Sequence, residues 1–242
     1  MRSGHGFFWG ANAMIFDPVY FLFVVPGLAL SIWASVRVKN AFNKYSKVRS
    51  GRGFTGAEAA QELLRGAGIT DVRIVRGHGV LSDHYNPITK TLALSEPVYD
   101  SDSIAAVGVA THEAGHAIQH ARHYAPLWVR SALVPTANIG SSIGYFVMLI
   151  GLFMASTNMV LVGAVLFSAV LLFQVVTLPV EFNASNRAKA LIVEQGIVTV
   201  QEREGVDKVL NAAALTYVAA AVSTLLTLLY FLWRSGLIGG RR

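Results

Sequence analysis

The sequence predicts a mainly α membrane protein: about four transmembrane helices carrying a polar unit of helices and a small β-sheet. Three observations carry that prediction. Of 242 residues, 53% are hydrophobic and 14% charged, where an ordinary soluble domain runs to about 25% charged. Four apolar runs are long enough to cross a bilayer, and the polar stretches between them hold capping and strand signals of their own.

A bilayer core of about 30 Å needs about 20 apolar residues at about 1.5 Å each. The runs at about 15–36, 134–155, 159–178 and 212–233 meet that length. Only Ser156, Thr157 and Asn158 separate the middle two, which therefore form a tight hairpin that returns the chain to the side it left. Pro26 and Gly27 are expected to bend the first span without breaking it, and Asp17 with Pro18 to cap its outer end. Gly140 and Gly144 make a G-x-x-x-G whose expected use is packing within the bundle rather than at a dimer face. No removable signal peptide is expected, because no basic stretch and A-x-A-like site precede the first run. The expected division is 1–37 for the N-terminus and first span, 38–130 for a folded polar unit, 131–180 for the hairpin, 181–211 for a second polar segment, and 212–242 for the last span and tail.

Orientation follows from lysine and arginine. Residues 37–130 hold twelve of the twenty and residues 181–211 hold four. The positive-inside rule then places both polar segments in the cytoplasm, with the termini outside a cell (inner or plasma) membrane. The net charge of +6 is thus topological. No basic block interleaved with aromatics points to nucleic acid.

Within residues 38–130, Thr55 with Glu58 forms a capping box that opens a helix bearing Leu63 and Leu64 and closing at Gly66 or Gly68. VRIV (72–75) and TLAL (91–94) read as strands, the second after a turn at Asn86 and Pro87. Ser101, Asp102 or Ser103 then caps a helix from Ile104 that carries THEAGHAIQH, too short in its apolar part to span.

H-E-x-x-H on a helix has a mechanical logic. His112 and His116, four residues apart, direct ring nitrogens from one face toward one ion, and Glu113 reaches the water that ion binds. Zinc suits two imidazoles and a carboxylate. The chain has no cysteine, so histidines and carboxylates must hold any metal. Metzincins place a glycine and a histidine where this chain has Gln119 and Arg122, which excludes that class. For the third ligand His120 is an alternative, but it draws the site away from Glu113. Glu181 is preferred: it stands just after Pro179 at the end of the third span, opening the helical run EFNASNRAKALIVEQG.

FNKYSKV, GFTGAEAA, LSDHYNP, SIAAVGVATHEAGHAIQH and LPVEFNASNRA, in that order, make the chain resemble the bacterial neutral zinc metallopeptidases of the YugP type. These are similar in plan to gluzincin membrane proteases such as the HtpX type. The resemblance implies a cytoplasmic zincin-like metallopeptidase unit, one Zn2+ per chain held by His112, His116 and Glu181, and Glu113 as the general base. It also implies that the TLAL strand is the edge strand that pairs with substrate backbone, which gives His78 and His84 a place near substrate. Gluzincins often carry an aspartate four residues after the glutamate ligand; here Ser185 stands there, with Asn183 nearby. His84, Tyr85, Tyr99, Asn186 and Arg187 are the residues chemically able to serve as the oxyanion donor.

The expected function is a membrane-embedded zinc-dependent endopeptidase acting on protein or peptide substrates near the cytoplasmic membrane surface. The lipid bilayer is its other partner, and the sequence leaves a homo-oligomer open. The competing expectations are site-2-type intramembrane proteolysis, which wants H-E-x-x-H inside a span, and a non-catalytic scaffold or chaperone with a structural zinc.

Overall fold

The computed structural model describes residues 17–79 and 82–239. Ile15, where the first apolar run was expected to begin, and the arginines Arg2, Arg241 and Arg242 used for the termini lie outside the described residues. The elements in order are α1 (Pro18–Tyr45), α2 (Gly56–Gly66), β1 (Arg73–Gly77), β2 (His84–Asn86), β3 (Thr91–Ser95), α3 (Glu96–Tyr99), α4 (Ile104–Ala121) and α5 (Ala125–Ile139). A π-helical turn at Gly140–Gly144 follows, then α6 (Tyr145–Phe153), α7 (Thr157–Glu194) and α8 (Val200–Arg234). The chain is mainly helical, and its small sheet is mixed. The described residues divide into two compact units. One takes in residues up to Trp33, Arg130–Val176 and Tyr217 onward; the other takes in Ala34–Val129 and Thr177–Thr216.

The first unit is built on apolar helix. Four helical stretches of 28, 29, 38 and 35 residues are long and apolar enough to cross a membrane. Leu22 is 72% exposed and Val165 63%, a waste of apolar surface in water but the expected face in hydrocarbon. The core holds Met148, Val160, Phe167, Tyr230 and Phe231. Gly140 and Gly144 pack inside the chain: a Cβ on Gly140 would lie 2.4 Å from the Leu166 carbonyl oxygen, and one on Gly144 2.7 Å from the Phe167 nitrogen. Asp17 caps α1 by accepting the Val19 N–H at 3.0 Å. The same carboxylate also accepts the Tyr230 hydroxyl and the Arg234 Nε–H of α8, a long-range pairing that no local pattern announced.

Three boundaries differ from expectation. The hairpin turn falls at residues 154–156, with Ala155 at φ 50, rather than at 156–158. Glu181 does not open a helix: α7 runs unbroken through Pro179, so Glu181 lies in helix interior. The third is the junction at Ala212, where the polar segment and the span expected on either side of it form one unbroken helix, α8, from Val200.

The second unit packs α2, α4, the sheet and the polar parts of α7 and α8 around Leu63, Leu92, Leu94, Ile104, Val107, Ile192 and Val206, all fully or almost fully buried. Each such aliphatic chain contributes about 1.5–3 kcal/mol of transfer free energy. Helix α2 starts at a full capping box: Thr55 Oγ1 accepts the Glu58 N–H at 3.2 Å, and Glu58 Oε2 accepts the Thr55 N–H at 2.8 Å. Thr55→Ala should lower stability by about 1 kcal/mol, read as a lower melting midpoint. The Thr55 backbone N–H, then its hydroxyl, hold the Glu58 carboxyl below the usual carboxylate range. The box is therefore intact at neutral pH and weakens as acid titrates Glu58 through its lowered pKa.

The sheet order is β1-β3-β2, with β1 parallel and β2 antiparallel to β3. This corrects the expectation for TLAL: β3 is the middle strand and not an edge. Leu92, Ala93, Leu94 and Ser95 are all buried, and a strand so placed is flanked on both sides. The edge beside it is β2, a three-residue strand whose sequence HYN carries no apolar alternation and merges into the Asn86 turn.

Candidate metal centre

Two helices carry the site. Helix α4 begins where the Ser103 hydroxyl accepts the Ala106 N–H at 3.2 Å. It runs through an alanine-rich, largely buried segment and stops at Arg122 and His123, the latter at φ 51. His112 and His116 share one face of it, ring centroids 4.8 Å apart. Helix α7 presents a buried stripe of Val180, Glu181, Ala184, Ser185, Ala188 and Lys189 at helical spacing. Gly115 lets the two helices touch: a Cβ there would lie 2.6 Å from the Ala184 carbonyl oxygen, so only hydrogen fits.

That contact brings Glu181 to the histidines. Its Oε2 lies 3.2 Å from His112 Nε2 and 3.5 Å from His116 Nε2. Among the described residues these three form the one group able to hold a metal, with their potential ligand atoms within 4.8 Å of one another. Four ligands at 2.0–2.1 Å around a tetrahedral ion stand about 3.4 Å apart. The donor set and both carboxylate–imidazole separations therefore fit zinc, and Nε2 is the ring nitrogen facing inward in each case.

The surroundings are arranged behind the Nδ1 atoms. His112 Nδ1 meets the Ser185 hydroxyl at 3.1 Å. His116 Nδ1 meets Gln119 Oε1 at 3.0 Å. Burial works to lower the His116 pKa, but the hydrogen bond to Glu181 and the charges of Glu113 and Glu181 outweigh it, and the net shift is upward. Glu113 is half-buried beside the pair.

A family model described as "Putative neutral zinc metallopeptidase" matches residues 20–236. The chain belongs to that family. "Putative membrane protease YugP" of Bacillus subtilis (strain 168) is 46% identical over 213 residues, covering 88% of this chain and 95% of the relative. No solved structure matches. Together with the four apolar helices, the match identifies a membrane protein of the neutral zinc metallopeptidase family, a family name that itself points to zinc.

In this family member the other residues singled out from sequence are scattered. Tyr85, on β2, hydrogen-bonds His120 Nδ1 at 2.8 Å. Burial, then the Asp71 charge, push its hydroxyl up to about 12. His120 also packs its ring on Trp128; burial, then the Lys90 charge, lower its pKa. His84 is exposed, with Nδ1 2.8 Å from the Ser82 carbonyl. Tyr99 lies under the Arg76 guanidinium and lines an open groove of about 830 Å³ with Leu64, Val72 and Ile74; none of the metal group lines that groove. Asn186 is exposed. Arg187 donates from Nε to Asn183 Oδ1 at 2.7 Å and covers the Tyr124 ring. Gln119 was read from sequence only as a residue that breaks the metzincin pattern. It is fully buried against the site, and the signal that could have found it is its place one helical turn beyond His116.

Proposed function

We propose that the chain is a membrane-embedded zinc-dependent endopeptidase cutting protein or peptide substrates close to the cytoplasmic membrane surface. The observation that carries the reading is the group of His112, His116 and Glu181, with 3.2 and 3.5 Å between the carboxylate and the two inward nitrogens. Among the described residues no fourth histidine or carboxylate joins that group, and the chain has no cysteine. A closed structural zinc wants four protein ligands, whereas a catalytic one keeps a position open.

A zinc ion held there would polarise a scissile carbonyl and make water acidic near neutral pH. Glu113, adjacent in sequence to His112 and half-buried, would take the proton of the attacking water on its carboxylate. It would then deliver that proton to the departing amine nitrogen. Glu181 would supply the anionic donor, and the inward Nε2 atoms of the two imidazoles would complete the set.

The side of the membrane rests on charge. The polar segments hold sixteen of the twenty lysines and arginines, which favours a multi-pass protein of the inner or plasma membrane with this centre in the cytoplasm. Glu181 follows the third apolar run on the same unbroken helix, within about 5 Å of its last residue at about 1.5 Å per residue. Chains lying on or emerging from the membrane are the substrates such a placement serves.

The test is metal removal. Full-length protein in detergent should hold one zinc per chain and cleave a casein or membrane-protein digest. A strong chelator should abolish cleavage, and added zinc should restore it. Cleavage that survives complete loss of metal would overturn the proposal, and tightly held zinc with no cleavage would favour the scaffold reading.

A further inference from the structure

We propose that Gln119 is the positioning residue for His116: its carboxamide holds the ring in the Nδ1–H tautomer and leaves Nε2 unprotonated toward the ion. The inference rests on reading His116 as a ligand, but its evidence is a chain of hydrogen bonds whose directions are forced one by one.

The chain starts at Arg187. A guanidinium only donates, so the Asn183 side-chain atom 2.7 Å from Arg187 Nε must be the oxygen. That oxygen is also 3.0 Å from one end of the Gln119 side chain, so that end must be the amide nitrogen. A backbone carbonyl only accepts, and the Val180 oxygen lies 2.8 Å from the same Gln119 atom. Two independent acceptors thus fix Nε2 of Gln119 on the α7 side and turn Oε1 toward α4. A carboxamide oxygen has no proton to give. His116 Nδ1, 3.0 Å from it, must therefore carry the hydrogen. In a neutral ring this leaves Nε2 as the lone-pair nitrogen, and Nε2 is the atom that faces Glu181.

Gln119 is 0% exposed and Val180 0%, so water offers no alternative partner. Reversing the amide would set its oxygen against two acceptors, the Val180 carbonyl and Asn183 Oδ1, leaving two polar contacts unmade whichever tautomer His116 took, each costing about 1–3 kcal/mol. The second histidine shows what this adds. His112 leans on the Ser185 hydroxyl, which both donates and accepts and so leaves the tautomer to the ion. Gln119 also ties the two ligand-bearing helices together, since its oxygen serves α4 and its nitrogen α7.

Full-length protein labelled with 15N-histidine, in detergent, metal-free and at alkaline pH, gives a direct readout, with the His116 ring assigned by the signals lost in His116→Gln. His116 should show a protonated Nδ1 and an unprotonated Nε2 in the wild type and a mixture of tautomers in Gln119→Leu. Zinc competition against a chelator should show Gln119→Leu binding about 10–100-fold more weakly. A protonated Nε2 in the wild type, an unchanged tautomer in Gln119→Leu, or zinc binding by that variant equal to wild type would each overturn the proposal. Because the first of these does not use Gln119→Leu, failure of that variant to fold does not remove the test. Wild type that binds no zinc would sink the peptidase reading, while the tautomer would still judge Gln119.

Discussion

Glu113→Gln should lose peptide cleavage by about a hundred- to ten-thousand-fold while holding as much zinc as the wild type. The carboxamide keeps the volume of the side chain and leaves His112, His116 and Glu181 untouched, but it cannot accept and return a proton. The paired measurement is zinc content and the initial rate on one substrate, for both proteins in the same detergent. Turnover within a few-fold of wild type would remove Glu113 from the general-base role. Loss of zinc along with cleavage would show instead that Glu113 holds the site together.

Gly115→Ala should destabilise the protein and strip its metal, although local propensity argues the other way. Alanine in place of glycine inside a helix gains about 1 kcal/mol. Against that, the new Cβ would sit 2.6 Å from the Ala184 carbonyl oxygen and 3.1 Å from its carbon, both backbone atoms that no rotamer change can move. Overpacking of this kind costs about 1–3 kcal/mol, so the clash wins. The helices must part where His112 and His116 meet Glu181, and zinc affinity should fall by about tenfold or more. A melting midpoint at or above wild type with zinc retained would refute the account of that contact.

What was legible in the sequence is what local chemistry encodes. Apolar runs of about 20 residues announce spans, and Thr55 with Glu58 announces a helix start, because each is decided by residues a few positions apart. The meeting of Glu181 with His112 and His116 was anticipated from the hairpin, which is a statement about topology. The unread parts depend on partners distant in sequence. Asp17 looked like a plain cap, and its contacts with Tyr230 and Arg234 cross more than two hundred residues. Strand β2 exists because β3 offers it a ladder, while its own three residues favour a turn. Pro179 suggested a helix start, yet α7 continues through it. Ser185 was marked only by its place four residues after Glu181, and Gln119 carries no motif; only the pairing of α4 with α7 gives their polar atoms a direction.

Both imidazoles of the centre lean on neutral groups, the Ser185 hydroxyl and the Gln119 carboxamide. A carboxylate in either place would push electron density through the ring and make the opposite nitrogen a stronger donor. With uncharged backing, Glu181 would be the one anionic donor against a divalent charge, so a loaded centre would stay electron-poor. A zinc ion held there would trade grip for electrophilic strength: it would acidify water and polarise a carbonyl more strongly, and be surrendered to a competing chelator more readily.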